Sequence, residues 1–170
     1  RISCHHMGMA PERIKRIILL TSPEETPPLG DMLRVHNAGL EVVGVHDRES
    51  VLEVCAAAGP GARLISFCSS VIVPAAALAA MPGPSYNFHP GPPHRPGRYP
   101  SVFAVYDGDT RFGITVHEMA PKVDSGAIVA VDDFPVPPDC DLAELEKITY
   151  LRLADVFRKL ARQLATDRSP

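Results

Sequence analysis

Residues 13–22 have the sequence RIKRIILLTS, in which charged residues precede an unbroken apolar run and turn-forming residues follow it. An apolar run of this length is typical of a strand inside a parallel sheet, where both faces are buried. Further strand-like runs occur at 40–47, 62–73 and 84–88, and segments with helical features separate them. This alternation predicts a parallel sheet with helices on both faces.

The segments between these runs carry signals for helix ends. Residues 27–39 finish with Asn-Ala-Gly, residues 48–59 finish with a glycine, and residues 74–81 begin with Pro74. Glycine and asparagine are common where a helix stops, and proline is tolerated in a first turn because its missing N–H would have no helical partner. We therefore expect a helix in each of these three segments.

The second half of the chain shows a different order of elements. After a helix over 101–108, residues 112–119 alternate between apolar and polar types, and residues 126–136 form another strand-like run. The short connection between these two strands favours an antiparallel or mixed edge. Residues 141–167 have apolar positions at three-to-four spacing, which predicts a long amphipathic helix with Asp141 as its cap. The predicted fold class is α/β: a single Rossmann-like domain with a mainly parallel, twisted sheet, helices on both faces and a long C-terminal helix.

Composition narrows the classes of protein to consider. The chain has 170 residues, a formal net charge of −3 and no strong cluster of Lys and Arg, so we expect no nucleic-acid partner. No apolar run reaches the roughly 18 residues of a membrane span, and four cysteines without C-x-x-C spacing favour a reduced, cytoplasmic protein. We expect residues 1–8 to be a cloning remnant or a disordered N-terminus, and residues 9–170 to form one domain.

A polar Asn-Phe-His step stands at the end of the fourth predicted strand, directly before the irregular segment Pro-Gly-Pro-Pro. In an open α/β sheet, ligands bind outside the carboxyl ends of the strands. The Asn87 amide can donate and accept hydrogen bonds, and the His89 imidazole can carry a proton near neutral pH. Both are candidate site residues, and a hydrogen-bonded surface turn is the alternative interpretation.

A second candidate segment is GITVHEMAPKVDSGAIV, residues 113–129. His117 falls on one side of an alternating strand, and Asp124 lies in a turn-rich loop before the next strand. These two residues, with His89 and His94, are of metal-ligand type, but their spacing matches no metal motif that we can name, so we predict no metal.

The region after the first strand, TSPEETPPLG, has carboxylates and prolines in place of a glycine-rich phosphate loop, which argues against a dinucleotide or nucleoside triphosphate site. Cys68, at the end of the third strand, is expected to be a small buried side chain and not a nucleophile.

Taken together as an ordered set, these motifs resemble the folate-dependent formyltransferases, over about residues 62–165. That family includes the glycinamide ribonucleotide, methionyl-tRNA and sugar-amine formyltransferases and the formyltetrahydrofolate hydrolases. The positions that carry the resemblance are, in chain order, Asn87, His89, Gly113, Thr115, His117, Asp124 and Gly126. The segment CSSVIVP, which ends at Pro74, also resembles the family's folate-pocket loop.

The resemblance implies a function and a set of site residues. It implies transfer of a formyl group from 10-formyltetrahydrofolate to a small-molecule amine, through a tetrahedral intermediate. The implied catalytic residues are Asn87 and His89, with Asp124 assisting. The implied pterin pocket is formed by Ser69, Ser70, Val71 and Ile72, and the implied supporting residues are Thr115, His117 and Gly126.

Several features differ from the family's usual pattern. Gly91-Pro92-Pro93-His94 replaces the usual Ser-Leu-Leu-Pro, and this run resembles the formyltransferase-like domain of hydrogenase maturation proteins. The N-terminal half looks shortened, and the features that glycinamide ribonucleotide and methionyl-tRNA enzymes use for their acceptors are not seen. A formyltetrahydrofolate hydrolase, or a non-catalytic module that binds a folate or formyl ligand, therefore stays open as an alternative. Assembly as a homodimer is also open.

Overall fold

A computed structural model of the chain describes residues 13–122 and 125–167. The prediction for residues 1–8 therefore lies outside the described residues. The described strands are β1 (Arg16–Leu20), β2 (Glu41–Val45), β3 (Ala62–Phe67), β4 (Tyr86–His89), β5 (Arg111–Glu118) and β6 (Ile128–Pro135). The described helices are α1 (Thr26–Arg34), α2 (Arg48–Ala56), α3 (Ala75–Ala80), α4 (Pro100–Asp107) and α5 (Leu142–Thr166).

The six described strands form one sheet in the order β2-β1-β3-β4-β5-β6. Strands β1 to β4 are parallel to one another, whereas β5 is antiparallel to β4 and β6 is antiparallel to β5. The predicted mainly parallel sheet with an antiparallel edge is confirmed. The carboxyl ends of β1, β3 and β4 therefore lie along one edge, which is where α/β proteins place their ligands.

The helices cover both faces of the sheet, as predicted. Helices α1 and α5 pack on one face over the apolar side chains of β1, β3, β4 and β5. Helices α2 and α3 pack on the other face over Ile18, Leu20 and Leu64. Because side chains of a strand alternate between faces, Ile17 and Leu19 contact the first layer while their neighbours contact the second.

Helix α5 follows the predicted amphipathic pattern. Leu145, Val156, Phe157 and Leu164 are buried among its apolar positions. The predicted cap is also present, because the Asp141 carboxylate accepts a hydrogen bond of 2.8 Å from the backbone N–H of Glu144. The helix thereby starts where its sequence signal indicates.

Arg63 in β3 ties the far end of α5 to the sheet. Its side chain is buried, and its guanidinium donates to the carbonyl oxygens of Leu164 at 2.6 Å, Gln163 at 3.1 Å and Asp167 at 2.5 Å. The last carbonyls of a helix have no partner within the helix, and here a buried cation serves as that partner. Burial lowers the pKa of Arg63 below its ordinary value.

Candidate active site

Polar side chains form a row on one face of β3, β4 and β5. The strand register places Asn87 opposite Ser66 on one side and opposite His117 on the other, and it places His89 opposite Thr115. The residues between them belong to the apolar layer under α5. Alternation therefore directs these five polar side chains to the opposite face, where they are grouped together.

This polar row borders a cleft of about 250 Å³. Its walls include Ser66, Asn87, His89 and His117 from the sheet, together with the loop after β3. The volume is close to the lower end of the range for small-molecule sites. The structure thus brings two segments that are 30 positions apart, around Asn87 and His117, to one cavity.

His117 fixes the orientation of the Asn87 amide. The ring Nδ1 lies 2.8 Å from the carbonyl oxygen of Glu118, and a carbonyl can only accept, so Nδ1 carries the proton. The other ring nitrogen, Nε2, then accepts from the Asn87 Nδ2 group at 3.2 Å. The Glu118 carbonyl therefore determines, through the His117 ring, that the nitrogen of the Asn87 amide faces His117.

His89 is buried, with 6% of its surface exposed. Its Nε2 lies 2.9 Å from the carbonyl oxygen of Arg95, to which it donates. Thr115 lies opposite on β5, and its hydroxyl donates to the carbonyl oxygen of Gly91 at 2.8 Å. Thr115 therefore holds the chain that follows β4.

Gly91 is required by close packing in this region. A Cβ atom at this position would lie 2.7 Å from the Nε2 of His89 and 2.7 Å from the Cβ of Pro100. Real Cβ atoms do not approach other heavy atoms so closely, so a side chain here would displace the imidazole or the start of α4. The glycine that departs from the family's usual pattern thus allows the loop to pack directly against His89.

The four residues predicted to form the pterin pocket all line the cleft: Ser69, Ser70, Val71 and Ile72. They follow the carboxyl end of β3, where the Ser69 hydroxyl accepts from the backbone N–H of Val71 at 3.1 Å. Ile72 has 55% of its surface exposed, and Val71 packs partly against the apolar layer of α2 and α3. Apolar surface and backbone polar groups therefore occur side by side in this wall.

Asp124, the third predicted catalytic residue, lies outside the described residues. Its neighbours Ser125 and Gly126 line a second cavity of about 100 Å³, which His89 and His117 also line. A Cβ atom on Gly126 would lie 1.7 Å from the carbonyl oxygen of Glu118, so only glycine fits there. The two histidines thus line both cavities.

Two polar side chains of the cleft, those of Ser66 and Arg98, were not predicted from the sequence. Ser66 is a buried polar residue in β3, and the only signal for it is a hydroxyl inside an apolar strand. Arg98 is the one residue with a permanent charge among the described residues that line the cleft, and its Nη2 donates to the Ser70 carbonyl at 3.1 Å. Arg98 therefore joins the loops on two sides of the cleft.

The prediction that Cys68 is buried is wrong. The residue is exposed, and its backbone has a φ of 49° in the left-handed region, which turns the chain out of the sheet after β3. Although the residue as a whole is exposed, its Sγ atom is shielded from water. This desolvation, together with the nearby Glu25 carboxylate, raises the pKa of Cys68 to about 12. A thiol of this kind is a poor nucleophile at neutral pH.

Within 13–122 and 125–167, no group of three or more His, Cys, Asp or Glu side chains has the arrangement of a metal site. Among the helices of that part of the chain, none is both long and apolar enough to cross a membrane.

Comparison with known proteins gives a consistent result. A family model described as formyl transferase matches residues 29–154, and so begins earlier in the chain than the motifs alone indicate. Methionyl-tRNA formyltransferase of Roseiflexus sp. (strain RS-1) is 35% identical over 82 residues, which are 47% of this chain and 25% of that protein. The chain thus spans about a quarter of the length of this curated relative.

Solved structures show the same fold. Glycinamide ribonucleotide transformylase 1 from Symbiobacterium toebii superposes with a TM-score of 0.69 at 20% identity, covering 89% of this chain and 88% of that one. An N-formyltransferase from Helicobacter canadensis, in complex with folinic acid and dTDP-3-aminofucose, superposes with a TM-score of 0.71 at 14% identity, covering 92% and 66%. Because the family model spans well over half of its length, the chain belongs to the formyl transferase family.

Proposed function

We propose that this protein transfers the formyl group of 10-formyltetrahydrofolate to a small-molecule amine. The observation that carries the proposal is that three residues of the polar row, Asn87, His89 and His117, border the same cleft as the predicted pterin residues 69–72. Membership of the formyl transferase family supports the reaction class. The folinic acid in the Helicobacter canadensis structure supports a folate as the donor.

The residues of the cleft fit a folate. A pterin has hydrogen-bonding groups along its edge and apolar faces, and the loop after β3 offers backbone groups together with Val71 and Ile72. When bound, the folate supplies the formyl carbon that an amine attacks. The protein then has to hold the formyl group beside Asn87 and exclude water from it.

Asn87 is proposed to stabilise the oxygen that becomes negative during attack. An amide N–H aimed at a developing oxyanion lowers the barrier by about 3 kcal/mol when it is oriented beforehand. The bond to His117 supports this role, because it holds one N–H of the amide and so fixes the direction of the whole group. His117 is therefore a supporting residue in the proposal.

His89 and Asp124 are proposed to handle protons. The amine loses a proton as the new carbon–nitrogen bond forms, and the leaving folate nitrogen gains one as its bond to the formyl carbon breaks. His89 is within the group of side chains that border the cleft, and an imidazole can donate and accept near neutral pH. Asp124 would assist through His89 or through water, and the cavity shared by His89, Ser125 and Gly126 supports that pairing.

The test is an assay with 10-formyltetrahydrofolate and a panel of amines, in which the release of tetrahydrofolate is followed spectroscopically. Asn87→Ala and His89→Ala should each reduce turnover by about a hundredfold or more. His36→Ala, at an exposed histidine after α1, is the matched control and should retain full turnover.

Three other outcomes would contradict the proposal in different ways. Absence of binding to folate and formylfolate at millimolar concentration would remove the donor. Release of formate that does not depend on the amine would assign the protein as a hydrolase. Tight folate binding with no turnover of any kind would indicate a binding module.

A further inference from the structure

The segment between β4 and α4, residues 90–99, is here named the proline-rich loop. Its contact with His89 is made by a backbone group, the carbonyl oxygen of Arg95, which accepts from Nε2 at 2.9 Å. A neutral imidazole has one N–H, so this bond selects the tautomer in which Nε2 carries the proton. The other ring nitrogen, Nδ1, then carries no proton in the neutral ring.

The side chain of Arg95 anchors that carbonyl. Its guanidinium donates to both carboxylate oxygens of Asp109, at 2.7 and 2.8 Å, and to Asp107 at 2.8 Å. A guanidinium bound by two oxygens of one carboxylate is held in one plane and one direction. Because Asp107 ends α4 and Asp109 lies two residues before the start of β5, Arg95 connects the proline-rich loop to a rigid part of the fold.

Other contacts restrict the same loop. The backbone N–H of Arg95 donates to the carbonyl of Pro92 at 3.0 Å, which closes a turn, and the Thr115 hydroxyl holds Gly91. The Asp109 backbone N–H donates in turn to the carbonyl of Ala104 in α4 at 2.9 Å. The Arg95 carbonyl is therefore restrained by its own turn, by its side chain and by the elements on either side.

Among the ion pairs of the described residues, Arg95–Asp109 is the one with the least exposed side chains. The Arg95 side chain is 18% exposed and the Asp109 side chain 21%, whereas the Arg111–Asp133 pair on β5 and β6 is 59% and 49% exposed. Exposed ion pairs contribute little to stability. The Arg95–Asp109 pair is shielded and lies near His89, so it can determine the geometry of the proline-rich loop at that residue.

We propose that Arg95 is a positioning residue, which holds its own carbonyl against His89 and thereby fixes the tautomer in which Nε2 carries the proton and Nδ1 does not. The effect on turnover rests on the proposed function, because it requires His89 to act in the reaction. The tautomer itself does not, because it can be measured without any reaction. A failure of the tautomer prediction can therefore be distinguished from a failure of the proposed function.

The test is the ¹⁵N NMR spectrum of the His89 ring in the whole protein, since the two tautomers give distinct shifts at Nδ1 and Nε2. Wild type should show a protonated Nε2. Arg95→Ala should give a mixture of tautomers, and Arg95→Lys should give an intermediate spectrum because an ammonium cannot bind both oxygens in the same plane. Arg111→Ala is the control, since it removes an arginine ion pair away from the proline-rich loop.

Turnover supplies a second measurement. Arg95→Ala should lower kcat by about tenfold with KM nearly unchanged, since small misplacement of a catalytic group affects the reaction more than the binding of substrate. If Arg95→Ala does not fold, Asp109→Asn keeps the volume of the side chain and tests the same anchor. A His89 tautomer that is unchanged in folded Arg95→Ala or Asp109→Asn protein, or that changes equally in Arg111→Ala, would overturn the proposal.

Discussion

The two faces of β3, β4 and β5 differ in the side chains that they carry: apolar and packed under α5 on one face, polar and bordering the cleft on the other. On the face under α5, Phe67, Phe88, Ile114 and Val116 are completely buried. On the other face lies the polar row, in which three of the five side chains contact backbone carbonyl oxygens. The apolar face gains its stability from burial, whereas the polar face gains orientation, because these carbonyl contacts fix the direction of the side chains.

This comparison predicts that adjacent residues of β4 have different kinds of effect. Phe88→Ala should lower the free energy of unfolding by about 3–5 kcal/mol, because the cavity cannot be refilled. The ring lies with its centroid 5.0 Å from that of Phe157 and 5.9 Å from that of Phe67. Urea unfolding of the variant measures the loss, and a change below about 1 kcal/mol would contradict the assignment of this face as the structural one.

Asn87→Ala should show the reverse pattern. Turnover with formylfolate and an amine should fall by about a hundredfold or more, because one oriented donor is lost. The free energy of unfolding should change by about 1 kcal/mol, the usual size for one hydrogen bond. Parallel urea unfolding and kinetics on the same protein preparation measure both, and a large loss of stability with unchanged kcat would reverse the roles of the two faces.

Much of this arrangement could be predicted from the sequence. The apolar runs give the strands, their alternation with helical segments gives the parallel sheet, and the Asn-x-His motif gives the strand end at which Asn87 and His89 stand. Residues 69–72 line the cleft beside Asn87, and their role as a pterin pocket stays a prediction. The catalytic roles of Asn87, His89 and Asp124 stay predictions.

The features that were missed depend on contacts between distant segments. Arg63 looks like a polar residue at a strand start, and only the fold shows that it caps a helix 100 positions later in the chain. Cys68 looks like an apolar strand residue, but its positive φ marks a turn that the sequence does not signal. The tautomer of His89 depends on the carbonyl of Arg95, and a backbone group leaves no mark on residue type.

Gly91 offers a way to disturb the polar face without changing a polar group. Gly91→Ala should cost about 1–3 kcal/mol of stability, because the added methyl group is forced against the His89 ring and Pro100. Turnover should fall as well, since the ring is displaced. Gly83→Ala is the matched control: nothing lies within 4 Å of its added Cβ, so we expect no loss of stability. Equal melting temperatures and equal turnover for the two variants would contradict the close packing at Gly91.

The smallest expected effect is a dependence of stability on acid pH at the edge of the polar face. The hydrogen bonds from Arg95 hold the pKa of Asp109 below its ordinary value. A lowered folded-state pKa means that the stabilisation is present above the unfolded-state pKa, about 3.9, and is lost as the pH falls through the folded-state value. Asp109→Asn should therefore destabilise the protein more at about pH 6 than at about pH 3, in urea unfolding at both values. In an Arg95→Ala background the same substitution should lose most of that difference, because the partner that lowers the pKa is gone. A pH dependence that persists in this background would assign the shift to another group and separate Asp109 from the anchor of the proline-rich loop.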